Sequence, residues 1–481
     1  GIYIKKILRW IFYSLIAGGL AACLLLPEMY TFSLSASSST SFPTKLTSYF
    51  SVMEMLVRQL INVPVHLGLE HYPNIYCGVA VFLLIPLYIM NKKIKPAEKI
   101  GKCIILLVFL LAFNLNIPNF IWHGFHYPNS LPCRQSFIYI FFLLSMSYEA
   151  FYRIRQSTVK QISASVWFSI IFLVLAEQIF KDSDTYDFKI FYISGAFILI
   201  YALLIYLKKT KNFKIPVIFF AVLCVSVVEC TINMESTGLG TTSRTAYLLD
   251  YNAVKTVTSD VSDNDDSFYR MDKITGARSK NDGAWHNYHT ISTFSSTCSA
   301  GMSQLYKYLG MVSSTNAYGY DGSTIVTNSL FSVKYLISNK LLSTDSLRTY
   351  YNGYDGEFIY KNEYTLPAGY VSDGNLSEKW KPDTIYNGIE NQNSLIEALT
   401  GVKDTFTECF VYPSQIDVTF SPSSSGHMYL VIQKEGVDNI GVTINGNTTG
   451  YSGLKSGNRT VDIGYVNAGD SINVNAETSM N

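Results

Sequence analysis

The chain has 481 residues, 48% hydrophobic and 14% aromatic but only 15% charged, and its mean hydropathy of +0.17 is high for a soluble protein. Gly, Ser, Thr and Asn nonetheless crowd the second half, so composition points to a membrane domain joined to a soluble one. A formal net charge of +1 gives no sign of a nucleic-acid partner, and the eight cysteines offer neither a CxxC pair nor a His/Cys spacing suited to structural zinc.

Ile7 to Leu26 reads as a first membrane span that Pro27 ends. The chain opens on Gly1, and Lys5, Lys6 and Arg9 lead into the span with no small-residue cleavage site after Leu26, so it is expected to begin within a longer protein. Glu28 to Pro73 is polar, with an amphipathic piece from Tyr49 to Ile61. Further spans are predicted at Ile75 to Met90, Cys103 to Leu115, Ser136 to Phe151, Ile162 to Phe180, Phe188 to Leu207 and Ile215 to Ile232, about seven in all by a window of roughly 20 residues.

Charge orients these spans. Fifteen Lys and Arg fall in alternate segments (around Lys5, Lys95, Arg153 and Lys209), against five, Lys45, Arg58, Arg134, Lys181 and Lys189, in the others. The positive-inside rule then predicts that the Glu28–Pro73 loop, the loop Trp122 to Phe137 and everything after Ile232 are extracytoplasmic.

After a Gly/Ser/Thr-rich linker from Glu235 to Thr245, helices are predicted at Tyr247–Lys255, Met302–Leu309 and Asn393–Leu399, with an acidic turn at Asp260–Asp266. Strands are predicted at Phe268–Ile274, Leu330–Ser338, Glu357–Lys361 and Ala368–Ser372. Beyond Asp404, short strands (Met428–Lys434, Gly441–Ile444, Thr460–Tyr465, Ser471–Val474) separated by Gly/Asn/Ser turns suggest a β-sandwich. Asn445-Gly446 is a firm hairpin signal, because a type I′ turn needs positive φ at both positions.

The loop Trp122 to Phe137 holds two histidines, two prolines, an Asn and an Arg between apolar runs. Imidazole, amide and guanidinium groups at a membrane surface suit a phosphate or a sugar; the plainer reading is an interfacial turn with aromatic anchors. Arg134 can bind phosphate bidentately or simply snorkel to headgroups. His123 and His126, three apart, would share a helix face suited to metal, but Gly124, Pro128 and Pro132 argue against a regular helix. Asn129 lies between them and Arg134. Glu70 beside His71 offers acid–base groups, although adjacent residues do not converge on one atom. Glu229 lies within the last span near its outer end, where a carboxylate faces a cavity or a partner. In the soluble part, Trp285 and Tyr288 suit either a sugar or an aromatic core. No nucleophile elbow, P-loop or dinucleotide fingerprint is present.

Trp122-His-Gly-Phe, Pro128-Asn129 and Arg134-Gln-Ser-Phe together resemble the YfhO family of bacterial membrane proteins. So do Tyr269 to Lys273, Asn281 to Ser296, Gly322 to Leu336 and Asn391 to Thr400, in that order. The resemblance implies a GT-C-like glycosyltransferase of Gram-positive bacteria. It would move a sugar from a polyprenyl-phosphate donor, in contact with membrane lipid, to a cell-wall polymer such as lipoteichoic acid on the outer face. The family's catalytic carboxylate is expected in a first outer loop upstream of this chain, so no catalytic residue is assigned. Donor phosphate binding falls to Arg134, His123, His126 and Asn129, and further substrate contacts to Glu70, His71, Glu229 and Trp285. No metal ligand is assigned, and whether a divalent metal acts as cofactor is left open.

The expected fold is a polytopic α-helical membrane domain (1–233), an extracytoplasmic mixed α/β domain (234–403) and an extracytoplasmic β-sandwich (404–481), the last incomplete. The rival from another class is a non-enzymatic membrane protein that transports or binds lipid-linked sugars or cell-wall polymer. A transporter would carry polar residues deep in several spans and a repeat between halves, whereas most spans here are plain.

Overall fold

An apolar segment without water around it must close its backbone hydrogen bonds on itself, which favours the helix. The structure is a computed structural model and describes residues 2–36, 41–68, 70–127, 131–211, 214–238, 242–372, 375–409, 417–433, 435–455 and 457–478. It divides into two compact units, Thr40–Thr242 and the pair of segments Gly1–Ser39 and Ser243–Asn481.

Helix α1 (Ile2–Ser33) runs straight through Pro27, correcting the expectation that the proline ends it. A proline removes the amide donor that would reach the carbonyl of Cys23 four residues back, a single loss that long apolar helices tolerate.

Within Thr40–Thr242, a short helix α2 (Val52–Val57) precedes α3 (Val81–Met90), α4 (Pro96–Asn114), α5 (Asn116–Trp122), α6 (Ser136–Tyr152), α7 (Val159–Phe180), α8 (Phe188–Thr210) and α9 (Ile215–Thr237). Among the described residues four helices are long and apolar enough to cross a membrane, the stretches Ile4–Ser33, Val159–Phe180, Phe188–Thr210 and Pro216–Ser236. The three other expected spans coincide with α3 and α6, which are shorter, and with α4, whose first turns carry Glu98, Lys99 and Lys102.

Packing in this unit rests on small residues. Ser165, Ser169 and Ser194 are fully buried on α7 and α8, where small side chains let helices approach closely. Pro86, inside α3, has no N–H for the carbonyl of Phe82 four residues back. The Ser169 hydroxyl fills that place at 2.9 Å, and Ser165 donates to the next carbonyl, Leu83, at 2.6 Å.

The second unit ties the end of α1 to its own body: Ala36 N donates to Cys298 O at 2.9 Å and Ala300 N to Leu34 O at 3.1 Å. Its elements are α10 (Arg244–Tyr247), α11 (Tyr251–Asn264), β1 (Arg270–Lys273), α12 (Asp282–His286), β2 (Thr293–Phe294), α13 (Ala300–Tyr308), β3 (Val312–Ser313), β4 (Ala317–Gly319), α14 (Ile325–Leu330), β5 (Val333–Ser338), β6 (Arg348–Tyr354), β7 (Glu357–Asn362), α15 (Leu376–Lys379), α16 (Gly388–Thr400), β8 (Asp417–Phe420), β9 (Gly426–Ile432), β10 (Val437–Ile444), β11 (Asn447–Ser452), β12 (Arg459–Val466) and β13 (Ile472–Thr478). The predicted helix from Tyr247 starts instead at Tyr251 and continues over the acidic cluster to Asn264, its valines 254, 257 and 261 giving a helical stripe. Ala368–Ser372 forms no strand.

A mixed sheet β1-β5-β7-β6, with β1 parallel to β5, carries the α/β part. On one side Val254, Val257 and Val261 of α11 pack on Met271, Tyr335, Ile337 and Ile359; a second cluster joins Tyr306 and Leu395 to Val333, Leu336 and Tyr360. The C-terminal strands form one sheet β11-β10-β13-β8 and a pair β12-β9 that share a core of Val437, Ile440, Val442, Val461, Val466 and Ile472. The turn joining β10 to β11 has Asn445 at φ 49° and Gly446 at φ 87°, as its sequence requires.

Candidate functional site

Three asparagines at the end of α4 and along α5 build the site. The Asn114 side-chain oxygen accepts from the amides of Tyr49 and Phe50, at 3.2 and 3.1 Å. Asn116 accepts from Thr47 N at 2.9 Å and donates to Lys45 O at 2.8 Å. Amides that both donate and accept can clip an extended segment in this way, and the clip fixes Tyr49. The Tyr49 ring then stacks on His71, centres 3.8 Å apart and planes 14° from parallel.

Arg58 sets the loop that carries His71. Its guanidinium is buried (3% exposed) and donates to Pro73 O at 2.6 Å, Pro64 O at 2.9 Å and Asn74 Oδ1 at 3.0 Å. Asn74 in turn donates to His66 O at 2.8 Å. Leu131 N donates to Leu67 O at 3.0 Å, and the Cys133 thiol lies 3.4 Å from His71 O, so this loop and the one after α5 run side by side.

Helix α5 ends at Trp122, as the Gly and Pro content requires, and His123 caps it. The loop beyond holds Gly124, Phe125, Leu131 and Cys133 at φ between 53° and 70°. For bulky residues that region is strained, and such strain gathers at functional sites. His123 stands one turn after Asn119 on the same helix face and places Nδ1 2.8 Å from the Asn119 carbonyl. A carbonyl only accepts, so Nδ1 carries the proton and Nε2 presents a bare lone pair.

The polar atoms here are short of partners. Both amide atoms of Asn119 (0% exposed) and of Gln135 (7% exposed), the Tyr49 hydroxyl, His71 Nδ1 and His123 Nε2 are buried with no hydrogen-bond partner among the described residues. A buried unsatisfied polar atom costs about 1–3 kcal/mol, so a group of them calls for an explanation. Burial is the main cause that lowers the pKa of His71, His123 and His126; nearby charges add to it, with His123 acting on His71, Arg134 on His123, and both His123 and Arg134 on His126. All three rings are therefore neutral near pH 7. Burial pushes the Cys133 thiol up to about 12, which removes it as a nucleophile.

The structure thus brings Arg134, His123, His126 and His71 together. Arg134 itself is exposed, with Nε 3.4 Å from Leu131 O. Asn129 lies outside the described residues. Glu70 turns away to His66, at 4.0 Å, and is exposed. Glu229 is buried and occupied: it accepts from Tyr76 Oη at 2.8 Å, Val79 N at 2.7 Å and Tyr201 Oη at 2.6 Å. In the other unit Trp285 packs edge-on against Tyr247 (4.7 Å) and Tyr251 (5.5 Å), an aromatic cluster. Among the described residues no three His, Cys, Asp or Glu are arranged to hold a metal ion.

Sequence reasoning missed Tyr49, Asn119, Gln135 and the scaffold role of Arg58. The one available signal was the run Asn114, Asn116, Asn119 at the end of an apolar span, where amides are costly unless used. A family model described as bacterial membrane protein YfhO matches residues 2–449. No curated protein and no solved structure matches the chain.

Proposed function

We propose, from the premise that the chain belongs to the YfhO family of bacterial membrane proteins, that it is a multi-pass GT-C-like glycosyltransferase. It moves a sugar from a polyprenyl-phosphate donor to a cell-wall polymer such as lipoteichoic acid on the outer face of the membrane. The bond from the anomeric carbon to the phosphate oxygen breaks, and the lipid phosphate leaves with the electron pair. An acceptor hydroxyl forms the new bond to the anomeric carbon, and its proton passes to the departing lipid phosphate. In this reading α1, α3, α4 and α6 to α9 all cross the membrane, and the chain after α9 is extracytoplasmic; the fifteen-to-five distribution of Lys and Arg supports it.

The observation that carries the reading is the exposed Arg134 close to neutral imidazoles, in a loop whose Asn119 and Gln135 amides are buried without a partner among the described residues. Charge grows on the leaving phosphate oxygens in the transition state, where a fixed guanidinium helps more than in the ground state. Arg134→Ala is expected to lose about 2–4 kcal/mol of transition-state stabilisation, like the loss of one oxyanion donor. Arg134→Lys keeps the charge without the planar fork and retains part of the activity. The test is the sugar content of the cell-wall polymer in cells making the full-length variants, with membrane abundance measured alongside. Normal glycosylation by an abundant Arg134→Ala protein would return Arg134 to a snorkelling role. Movement of intact sugar-lipid across vesicles, without release of lipid phosphate, would favour a transporter instead.

A further inference from the structure

The α/β part holds a cavity of about 370 Å3 just beyond the end of β1, within the size range of small-molecule pockets. Asp272, Ser279, Lys280, Tyr288, Ser292 and Tyr320 are among the residues that line it. Its charges do not balance. Lys273 pairs with Asp250 at 2.6 Å and Glu357 at 2.9 Å, Arg278 with Asp250 at 2.8 Å, and Lys280 with Asp321. All three cations in the wall are therefore engaged. Asp272 and Asp282 also line the cavity. Among the described residues neither has a cationic partner, so three cations in and behind the wall stand against five carboxylates.

The two uncompensated carboxylates differ. Asp282 turns its oxygens to its own loop, accepting from Arg278 N and Ser279 N, both at 2.9 Å. Asp272 is 3% exposed and accepts from Ile291 N at 3.0 Å and from the Ser292 hydroxyl at 2.6 Å. A carboxylate offers about four lone-pair sites, so Asp272 keeps acceptor capacity. Burial pushes its pKa up to about 6, as expected of a carboxylate that no cation compensates. An anionic ligand would meet cations that are already paired and an uncompensated carboxylate. A divalent metal needs more ligands than are gathered here, since no three His, Cys, Asp or Glu among the described residues are arranged to hold one. An ammonium group brings one positive charge and three donors, which suit the Asp272 carboxylate and the hydroxyls of Ser279 and Ser292. Tyrosines in the lining suit it too, because an aromatic face attracts a cation.

We propose that this cavity binds a primary ammonium group through Asp272, carried by a free small amine or by a lipid headgroup. It does not depend on the proposed transfer, whose residues belong to the other unit.

The experiment uses the full chain in phosphatidylglycerol nanodiscs near pH 7. It measures binding of two amines against their hydroxyl twins: ethanolamine against ethylene glycol, and glycine methyl ester against methyl glycolate. Each pair differs chiefly in ammonium for hydroxyl. At least one amine is expected to bind about ten-fold or more tighter than its twin, as charge-assisted hydrogen bonds allow. Asp272→Asn keeps an oxygen for Ile291 N, is expected to fold, and should bring that preference to near unity. Lys280→Gln removes a positive charge from the wall and should tighten the amine several-fold without changing the twin. A merely structural Asp272 would leave amine affinity in Lys280→Gln unchanged, and that result would overturn the site. Equal binding of amine and twin, a full preference kept by folded Asp272→Asn, or failure of both amines to bind would also overturn it. Discs that contain phosphatidylethanolamine separate the two sources. Competition with the soluble amine assigns the ammonium to a lipid headgroup and undiminished binding assigns it to a free amine, and either supports the site.

Discussion

The imidazole of His71 lies flat against the phenol ring of Tyr49, with 3.8 Å between ring centres. The Tyr49 hydroxyl at the far end of that ring is buried without a partner among the described residues. Stacking and hydroxyl can therefore be separated by mutation. Tyr49→Phe keeps the stack and removes an unsatisfied group, so the ligand-free protein should melt at the same temperature or slightly higher. Tyr49→Ala loses the stack, worth about 0.5–1.5 kcal/mol beyond the lost area, and should melt lower. Thermal unfolding of the purified full chain in detergent distinguishes them. Equal losses for both variants would mean that the hydroxyl is held by the protein.

Glu229 should behave as a structural carboxylate. Its two oxygens accept from Tyr76, Val79 and Tyr201, which join the turn before α3 to α8 and α9. Glu229→Gln turns one acceptor into a donor facing donors. Each buried donor left without an acceptor costs about 1–3 kcal/mol. The expected outcome is a lower yield of folded protein and a lower melting temperature, with unchanged transfer per folded molecule. Full stability with lost transfer would make Glu229 a substrate contact.

A pH dependence follows from His427 on β9. Its Nδ1 lies 2.6 Å from Asp345 and its Nε2 2.8 Å from Asp462, which also pairs with Arg348 at 2.9 Å. Burial alone pushes the imidazole pKa down, but the two carboxylates outweigh it and hold it above the ordinary value. Burial likewise opposes charge on Asp345 and Asp462, and bonds to His427 still hold both below the usual carboxylate range. The imidazole's contribution is therefore full below its unfolded pKa of about 6.5 and is lost as pH rises through the higher folded value. The carboxylates' contribution is lost only as pH falls through their depressed values. Hydrogen exchange of the β9 amides, corrected for intrinsic rates, should speed up as pH rises above about 6.5. In His427→Gln that extra dependence should vanish. A flat corrected profile for the unmutated chain would contradict the clamp.

Orientation can be read from cysteines. Cys409 is exposed whereas Cys298 is buried. A thiol reagent unable to cross membranes should label Cys409 in intact cells, and Cys409→Ser should abolish the signal. A cysteine placed at Lys95 should stay unlabelled until the cells are opened, since the positive-inside rule puts it in the cytoplasm. Labelling at position 95 from outside would invert the topology and move the Arg134 loop to the wrong face for the proposed donor.

Local chemistry made part of this protein legible in advance. Apolar runs of membrane length become helices wherever they occur, and Asn445-Gly446 carries its turn in its own backbone preferences. The strand at Val333–Ser338 and the Arg/His-rich loop after α5 were likewise visible, as was the family, because each depends on neighbours in sequence. What only the tertiary structure decided is which distant groups meet. Tyr49 reaches His71 because Asn114 and Asn116, more than sixty residues later, clip its backbone. Pro86 is tolerated within a helix because Ser169 comes from another one to take the Phe82 carbonyl. Propensity and periodicity act over a few residues, whereas these pairings are set by how whole helices pack, and a single sequence holds no separate signal for that.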